Sequence, residues 1–343
     1  MRHLILILLA VLAACAPAPA ALPADPTPRG LPTLGPMATA TPQPSPTASP
    51  TVTVTPTGAP TLTPTPRPQQ SIARVLIISI DGLRPDAIEL APMPFVQALL
   101  PVSAYSLRAQ TIYPSSTLPS HASMLLGLCP AQHGVDWNDY LPQNGYASGQ
   151  SIFSIAHAAG KKTIMIVGKE KLRQLTPPET LDVFRYINDR DTVIAAQAAP
   201  LLAQGFDLAF IHFALPDGMG HEYGWLSPEY LSVVRRSDES IAALFAALES
   251  AGLRETTMVI ITADHGGHES THGTRRAEDM TIPWIMTGPG VVPQQLIQPV
   301  STTDTAATVL WALDLPLPPE MVGQPVREAW GEIVPPRLDL RCP

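Results

Sequence analysis

The sequence predicts an α/β fold: a central, mostly parallel sheet flanked by helices on both faces, preceded by a Pro/Thr-rich stalk. Three observations carry this. Short apolar, β-branched runs recur along residues 72–343. Segments with helix start and stop signals lie between them. An abrupt change of composition near residue 72 sets this part apart from everything before it.

Residues 1–14 read as a signal peptide. Met1, Arg2 and His3 give a short basic start, and residues 4–14 form an apolar run too short to span a bilayer as a stable helix. The run ends in Leu12-Ala13-Ala14-Cys15, which resembles the lipobox of bacterial lipoproteins. That resemblance implies a diacylglycerol on the Cys15 thiol, and with it an exported protein lipid-anchored to the outer face of a bacterial membrane. An ordinary secretory signal with a chance cysteine is the other reading. Residues 15–71 are mostly Pro, Thr, Ala and Ser and contain no aromatic side chain. Such a stretch cannot bury a core and predicts an extended spacer. Many of the chain's 40 prolines crowd into it, which is why the fold is sought only beyond it.

The folded part is expected over residues 72–343. Runs at 75–80, 163–167, 208–213 and 258–262 read as buried strands. Residues 151–159 read as a helix closed by Gly160. A longer helix starts with Ser227 as N-cap and Pro228 in first position, and ends at Gly252. Net charge is −8, so no basic nucleic-acid-binding surface is evident. The three cysteines contain no CxxC pair, which argues against a cysteine zinc site. Cys129 and Cys342 fit a disulfide in an exported protein or two free thiols equally well.

Three strands run into carboxylates: Asp81-Gly82, Asp217 through Ala214-Leu215-Pro216, and Asp264-His265-Gly266-Gly267. Open α/β sheets place ligand sites beyond the carboxyl ends of their strands. Asp217 and His221 stand four apart with glycines that let the chain curl around an ion, and His268 and His272 follow Asp264-His265. Asp and His donors without thiolates suit zinc, with manganese or iron as the other candidates. Residues 113–121 place Ser115, Ser116 and Thr117 in a Pro-bounded turn, readable as a nucleophile loop or simply as a capped helix start.

Together these segments, over residues 73–325, resemble the nucleotide pyrophosphatase/phosphodiesterase family of the alkaline-phosphatase superfamily. The resemblance implies two divalent metal ions. One is held by Asp81, Asp264 and His265 with Thr117 as fourth ligand, the other by Asp217, His221 and His272. It makes Thr117 the nucleophile and places Asn138 against the phosphoryl group of a small phosphate-ester substrate. It implies a phosphothreonine intermediate, with the metals activating the hydroxyl and stabilising the leaving oxygen. His268 competes with His272 as a ligand, and His121 and His133 read as structural. The short gap between His265 and His272 implies that a substrate-covering insertion is missing. Cys129-Pro130-Ala131-Gln132-His133 lacks the signal that a sulfatase needs.

Lys169 and Lys171 follow the second strand. They resemble a basic pair of threonine-dependent phosphomonoesterases in the superfamily and are candidate substrate-binding residues. Two solvated loop lysines are the alternative. No arginine follows Arg108 near the Thr117 loop in sequence, which favours phosphodiesters or pyrophosphate-linked nucleotides over monoesters. The rival readings are a phosphomonoesterase and a lipid-tethered binding module without catalysis.

Overall fold

The computed structural model describes residues 72–337 and Cys342; the signal segment, Cys15 and the stalk lie outside the described residues. Among the described residues, eight strands form one sheet: β1 (Arg74–Ile80), β2 (Ala104–Gln110), β3 (Thr163–Val167), β4 (Val183–Tyr186), β5 (Leu208–Phe213), β6 (Thr257–Thr262), β7 (Thr281–Thr287) and β8 (Gln294–Gln295). Their order is β4-β3-β5-β1-β6-β7-β2-β8. Only β7 runs against its neighbours, so the carboxyl ends of the other strands share one edge. The four strands expected from the sequence are the four central parallel ones. Their continuous apolar runs follow from burial on both faces: every residue of β3, β5 and β6 is buried.

Among the described residues, six helices have seven residues or more. They are α1 (Thr117–Leu126), α2 (Ile152–Ala158), α3 (Asp191–Ala203), α4 (Leu215–Tyr223), α5 (Pro228–Ser250) and α6 (Asp304–Ala312). Helices α3, α4 and α5 pack together as one layer; α1, α2 and α6 form another. The expected caps are present. The Ser227 hydroxyl accepts from the Tyr230 amide, the Ser151 hydroxyl from the Ser154 amide, and Gly160 and Gly252 take φ of 72° and 67°.

Sequence patterning did not expose β2, β4, β7 and β8. Pro283 interrupts β7, and a mid-strand proline argues against a strand. It is tolerated because the register of β2 shifts between Ser106 and Ala109, opposite it, where no ladder bond is needed. Cys129 and Cys342 form a disulfide, which ties the chain's C-terminal end to the turn after α1.

Candidate metal and active site

The site lies at the carboxyl edge of the sheet. Strand β1 delivers Asp81, β6 delivers Asp264 and His265, and β5 leads into α4, which carries Asp217 and His221. The sequence suggested a glycine-rich curl around an ion between those last two residues. Instead they stand i, i+4 on one helix face, because Pro216 favours the first turn of a helix. Of the two glycines between them, Gly220 serves packing, while Gly218 faces open space. A Cβ on Gly220 would come within 2.7 Å of the Trp225 ring, one on Gly267 would overlap the same ring, and one on Gly82 would stand 3.3 Å from it. The Trp225 indole N–H also donates to the Gly82 carbonyl. One tryptophan therefore seats all three ligand loops.

All seven expected ligand positions converge. His265 Nε2 lies 3.4 Å from Asp81 Oδ1, 3.3 Å from Asp264 Oδ2 and 3.9 Å from Asp217 Oδ1. Asp217 Oδ1 is also 3.5 Å from His221 Nε2 and 3.4 Å from His272 Nε2. Two donor groups result: Asp217, His221 and His272, and Asp81, Asp217 and His265. The imidazoles are oriented for ligation. Their Nδ1 atoms face carbonyl oxygens, of Gly266 for His265, Ser270 for His221 and Ser115 for His272. Nδ1 must then carry the proton, which turns the Nε2 lone pairs inward. Asp217 Oδ1, Asp264 Oδ2 and His265 Nε2 are buried without a hydrogen-bond partner. Such orphaned groups are costly unless something positive meets them, so the donor set fits divalent cations.

The electrostatics agree. Burial, with Asp81 beside it, pushes the Asp264 carboxyl up to about 7. Burial works to lower His265, but Asp264 and Asp81 hold it above its ordinary range. Both shifts report a pocket with more negative than positive charge. His272, lowered to about 4 by burial and then by His265, stays neutral. Burial also works to raise Asp81, yet the Lys169 ammonium and a hydrogen bond from His212 hold it well below the usual carboxylate range.

Thr117 is fully buried and heads α1, with Ser116 as its N-cap residue. Its Oγ1 lies 3.4 Å from Asp81 Oδ1 and accepts from Lys169 Nζ at 3.2 Å. Asn138 Oδ1 accepts from the Leu118 amide at 2.9 Å, so its NH2 group remains the donor on that side. Lys171 Nζ donates to the Asn138 carbonyl at 2.7 Å, so neither lysine is simply solvated. His268 is held by Asp279 at 2.6 Å and belongs to neither donor group. His121 bonds the Thr117 carbonyl and the Ser79 hydroxyl, and His133 bonds the Ser123 hydroxyl.

Three contributors escaped the sequence. His212, within buried β5, accepts from the Gly168 amide at Nδ1 and so donates through Nε2 to Asp81 Oδ2 at 3.0 Å. A lone polar residue in an otherwise apolar strand was its only signal. Asp279 takes the amide and hydroxyl of Thr274 as well as His268, bracing the strap that carries His272. Arg275, on that strap, stacks 4.1 Å over the Tyr113 ring. The expectation that no arginine stands near the Thr117 loop is therefore corrected: the fold supplies one that lies 158 positions from Thr117 in sequence.

Asp191 steadies the approach to Asp217. Its Oδ1 accepts from the amides of Ala214 and Leu215, and its Oδ2 from the Ser237 hydroxyl. Burial pushes this carboxyl up to about 6. A folded-state pKa above the unfolded value of about 3.9 means that the folded state holds the proton more tightly. The associated stability is complete below about pH 4 and is lost as pH rises through about 6, roughly 3 kcal/mol in all. Asp191→Asn keeps the acceptor without the charge. It should unfold at higher denaturant than wild type at pH 8 and match it near pH 4. Denaturation curves at both pH values check this; an offset that does not change with pH would refute it.

The sequence model of the type I phosphodiesterase / nucleotide pyrophosphatase family matches residues 75–281. The chain belongs to this family. Relatives include the human GPI ethanolamine phosphate transferase 2 catalytic subunit, 27% identical over 277 residues, covering 75% of this chain and 28% of that one. A bis(5′-adenosyl)-triphosphatase of Xenopus laevis is 25% identical over 224 residues, covering 57% and 47%. The chain thus spans less than half the length of these relatives. Murine ectonucleotide pyrophosphatase/phosphodiesterase 5 has a similar fold, with a TM-score of 0.60 at 16% identity, covering 72% of this chain and 96% of that one. A phosphonate monoester hydrolase from Silicibacter pomeroyi gives 0.60 at 16% identity, covering 76% and 77%. The match to the phosphodiesterase / nucleotide pyrophosphatase family takes in β1 from Val75 on, α1, α4, β6 and every Asp and His of the two donor groups.

Proposed function

We propose that the protein is a metal-dependent phosphoric ester hydrolase of the phosphodiesterase or nucleotide-pyrophosphatase type, acting through a phosphothreonine at Thr117. One observation carries this reading: a buried hydroxyl at a helix head stands beside Asp81, a member of one of two Asp/His donor groups that share Asp217. Thr117 Oγ1 forms the bond to phosphorus as the bond to the leaving oxygen breaks, and the hydroxyl proton passes to solvent. Water then breaks the Oγ1–phosphorus bond and restores the hydroxyl. The Asn138 NH2 group and the Thr117 backbone amide meet the non-bridging oxygens as charge builds on them. Asp81, Asp264, His265, Asp217, His221 and His272 would hold two divalent ions. Such ions, zinc being best suited to these donors, supply the positive charge that lowers the hydroxyl pKa and offsets the charge on phosphorus.

A second reading has an observation of its own. Lys169, Lys171 and Arg275 bring three cations close to the Thr117 loop and its neighbour Asn138, and a monoester dianion carries about two charges near neutral pH. The test is kcat/KM for nitrophenyl phosphate, bis-nitrophenyl phosphate and a nucleotide nitrophenyl ester, in wild type and Lys171→Ala. The expected result is a diester preference of about tenfold or more, equal to at least about 1.4 kcal/mol. A monoester preference that collapses in the variant would establish the phosphomonoesterase instead. No turnover of any ester by metal-loaded protein would leave the binding module.

The proposal extends to location: an exported protein anchored through a lipid on Cys15. The Cys129–Cys342 disulfide supports an oxidising compartment. Labelled fatty acid should enter the wild type and not Cys15→Ala; equal labelling would sink the anchor.

A further inference from the structure

Lys169 occupies the centre of the carboxylate cluster. Its Nζ lies 2.5 Å from Asp217 Oδ2, 2.7 Å from Asp81 Oδ2 and 3.2 Å from Thr117 Oγ1. These partners come from three separate segments, so a single ammonium gathers the nucleophile and two ligand carboxylates. Its backbone has little freedom. The preceding Gly168 donates to His212 Nδ1, and a Cβ there would stand 2.6 Å from the Ala214 side chain. The side chain retains 19% exposure, while its ammonium is enclosed by Asp81, Asp217 and Thr117.

An ion bound at about 2.0–2.2 Å from carboxylate oxygens of Asp81 and Asp217 would stand against the ammonium that those carboxylates now share. Two positive charges at such separation repel, and the carboxylates gain more from two charges than from one. We infer that Lys169 is a competitor built into the metal centre. It neutralises Asp81 and Asp217 through their Oδ2 atoms and keeps them at ligand spacing, and a divalent ion bound at the facing Oδ1 atoms displaces it by charge repulsion. The inference rests on the metal-dependent reading above and adds a task to Lys169. Once displaced, the ammonium stays tethered beside Thr117, where a phosphoryl oxygen would lie, so counterion and substrate contact are successive positions of one side chain. A permanent structural ion pair would behave oppositely, since its removal would weaken the metal site.

The test uses the full-length protein and zinc or manganese titrated against a competing chelator. Lys169→Met should bind metal about tenfold more tightly than wild type, about 1.4 kcal/mol. In excess chelator its Tm should fall below that of wild type, and zinc should close the gap. Lys169→Arg, which keeps the charge, should stay near wild-type affinity. Equal or weaker metal binding by Lys169→Met overturns the inference. Lysine acetylation footprinting of the wild type, read by mass spectrometry, needs no variant to fold. Lys169 should become more reactive when zinc is added, while Lys161 and Lys162 do not change; unchanged or reduced labelling of Lys169 also overturns it. Wild-type protein that binds no metal would instead remove the metal-dependent reading itself.

Discussion

Thr117→Ala should lose turnover by roughly 10³-fold or more, the scale on which removing a covalent nucleophile acts, while keeping its metal content. The hydroxyl is the group at the meeting point of Asp81 and Lys169. The Ser115 hydroxyl is committed to the Thr274 carbonyl, and Ser116 precedes the helix as its N-cap residue. Metal content should survive because the Asp and His donors remain. Thr117→Ser should keep part of the activity, since the hydroxyl persists but loses the β-methyl that restricts its rotamers. Burst kinetics and elemental analysis on the same samples separate chemistry from metal loss. An alanine variant that turns over at the wild-type rate would remove Thr117 from the mechanism.

Asp217→Ala should be at least as severe, for a different reason. Its carboxylate belongs to both donor groups, so its loss should empty both. Losing a partner of a metal ligand typically costs about 10–100-fold in metal affinity or activity, and a ligand shared by two groups should exceed that. His221→Ala, which affects one group, should retain about one ion per chain. Metal counts on the two variants are the measurement. Two ions remaining in Asp217→Ala would show that the carboxylate is not shared and that Asp81, Asp264 and His265 suffice for one group.

Legibility in the sequence followed the range of the interaction. The central strands were readable because double-sided burial writes a continuous apolar run into the chain, and Asp81 and Asp264 because they directly follow such runs. The edge of the sheet was not. Four-residue β4 and two-residue β8 carry too little pattern, and the proline of β7 is excused only by a bulge on another strand. In the site, the residue types were visible but their partners were not. Nothing local announces that His212 braces Asp81 across 131 positions, or that Arg275 comes to rest on Tyr113. Gly220, between Asp217 and His221, was misread because a glycine needed for close packing and one needed for a turn look alike in sequence.

Trp225 gives the site a unit of inheritance. The indole lies against positions 82, 220 and 267, each of which must stay small for the ring to fit. A side chain at 220 or 267 collides with the indole, one at 82 is crowded by it and by Asp217, and a smaller residue at 225 leaves a hole beneath three loops at once. Positions 220, 225 and 267 can therefore change only together, with position 82 crowded against the same ring. A designer who transplants one ligand loop from another scaffold must carry the tryptophan and its two other glycines with it, or rebuild the floor on which both donor groups stand.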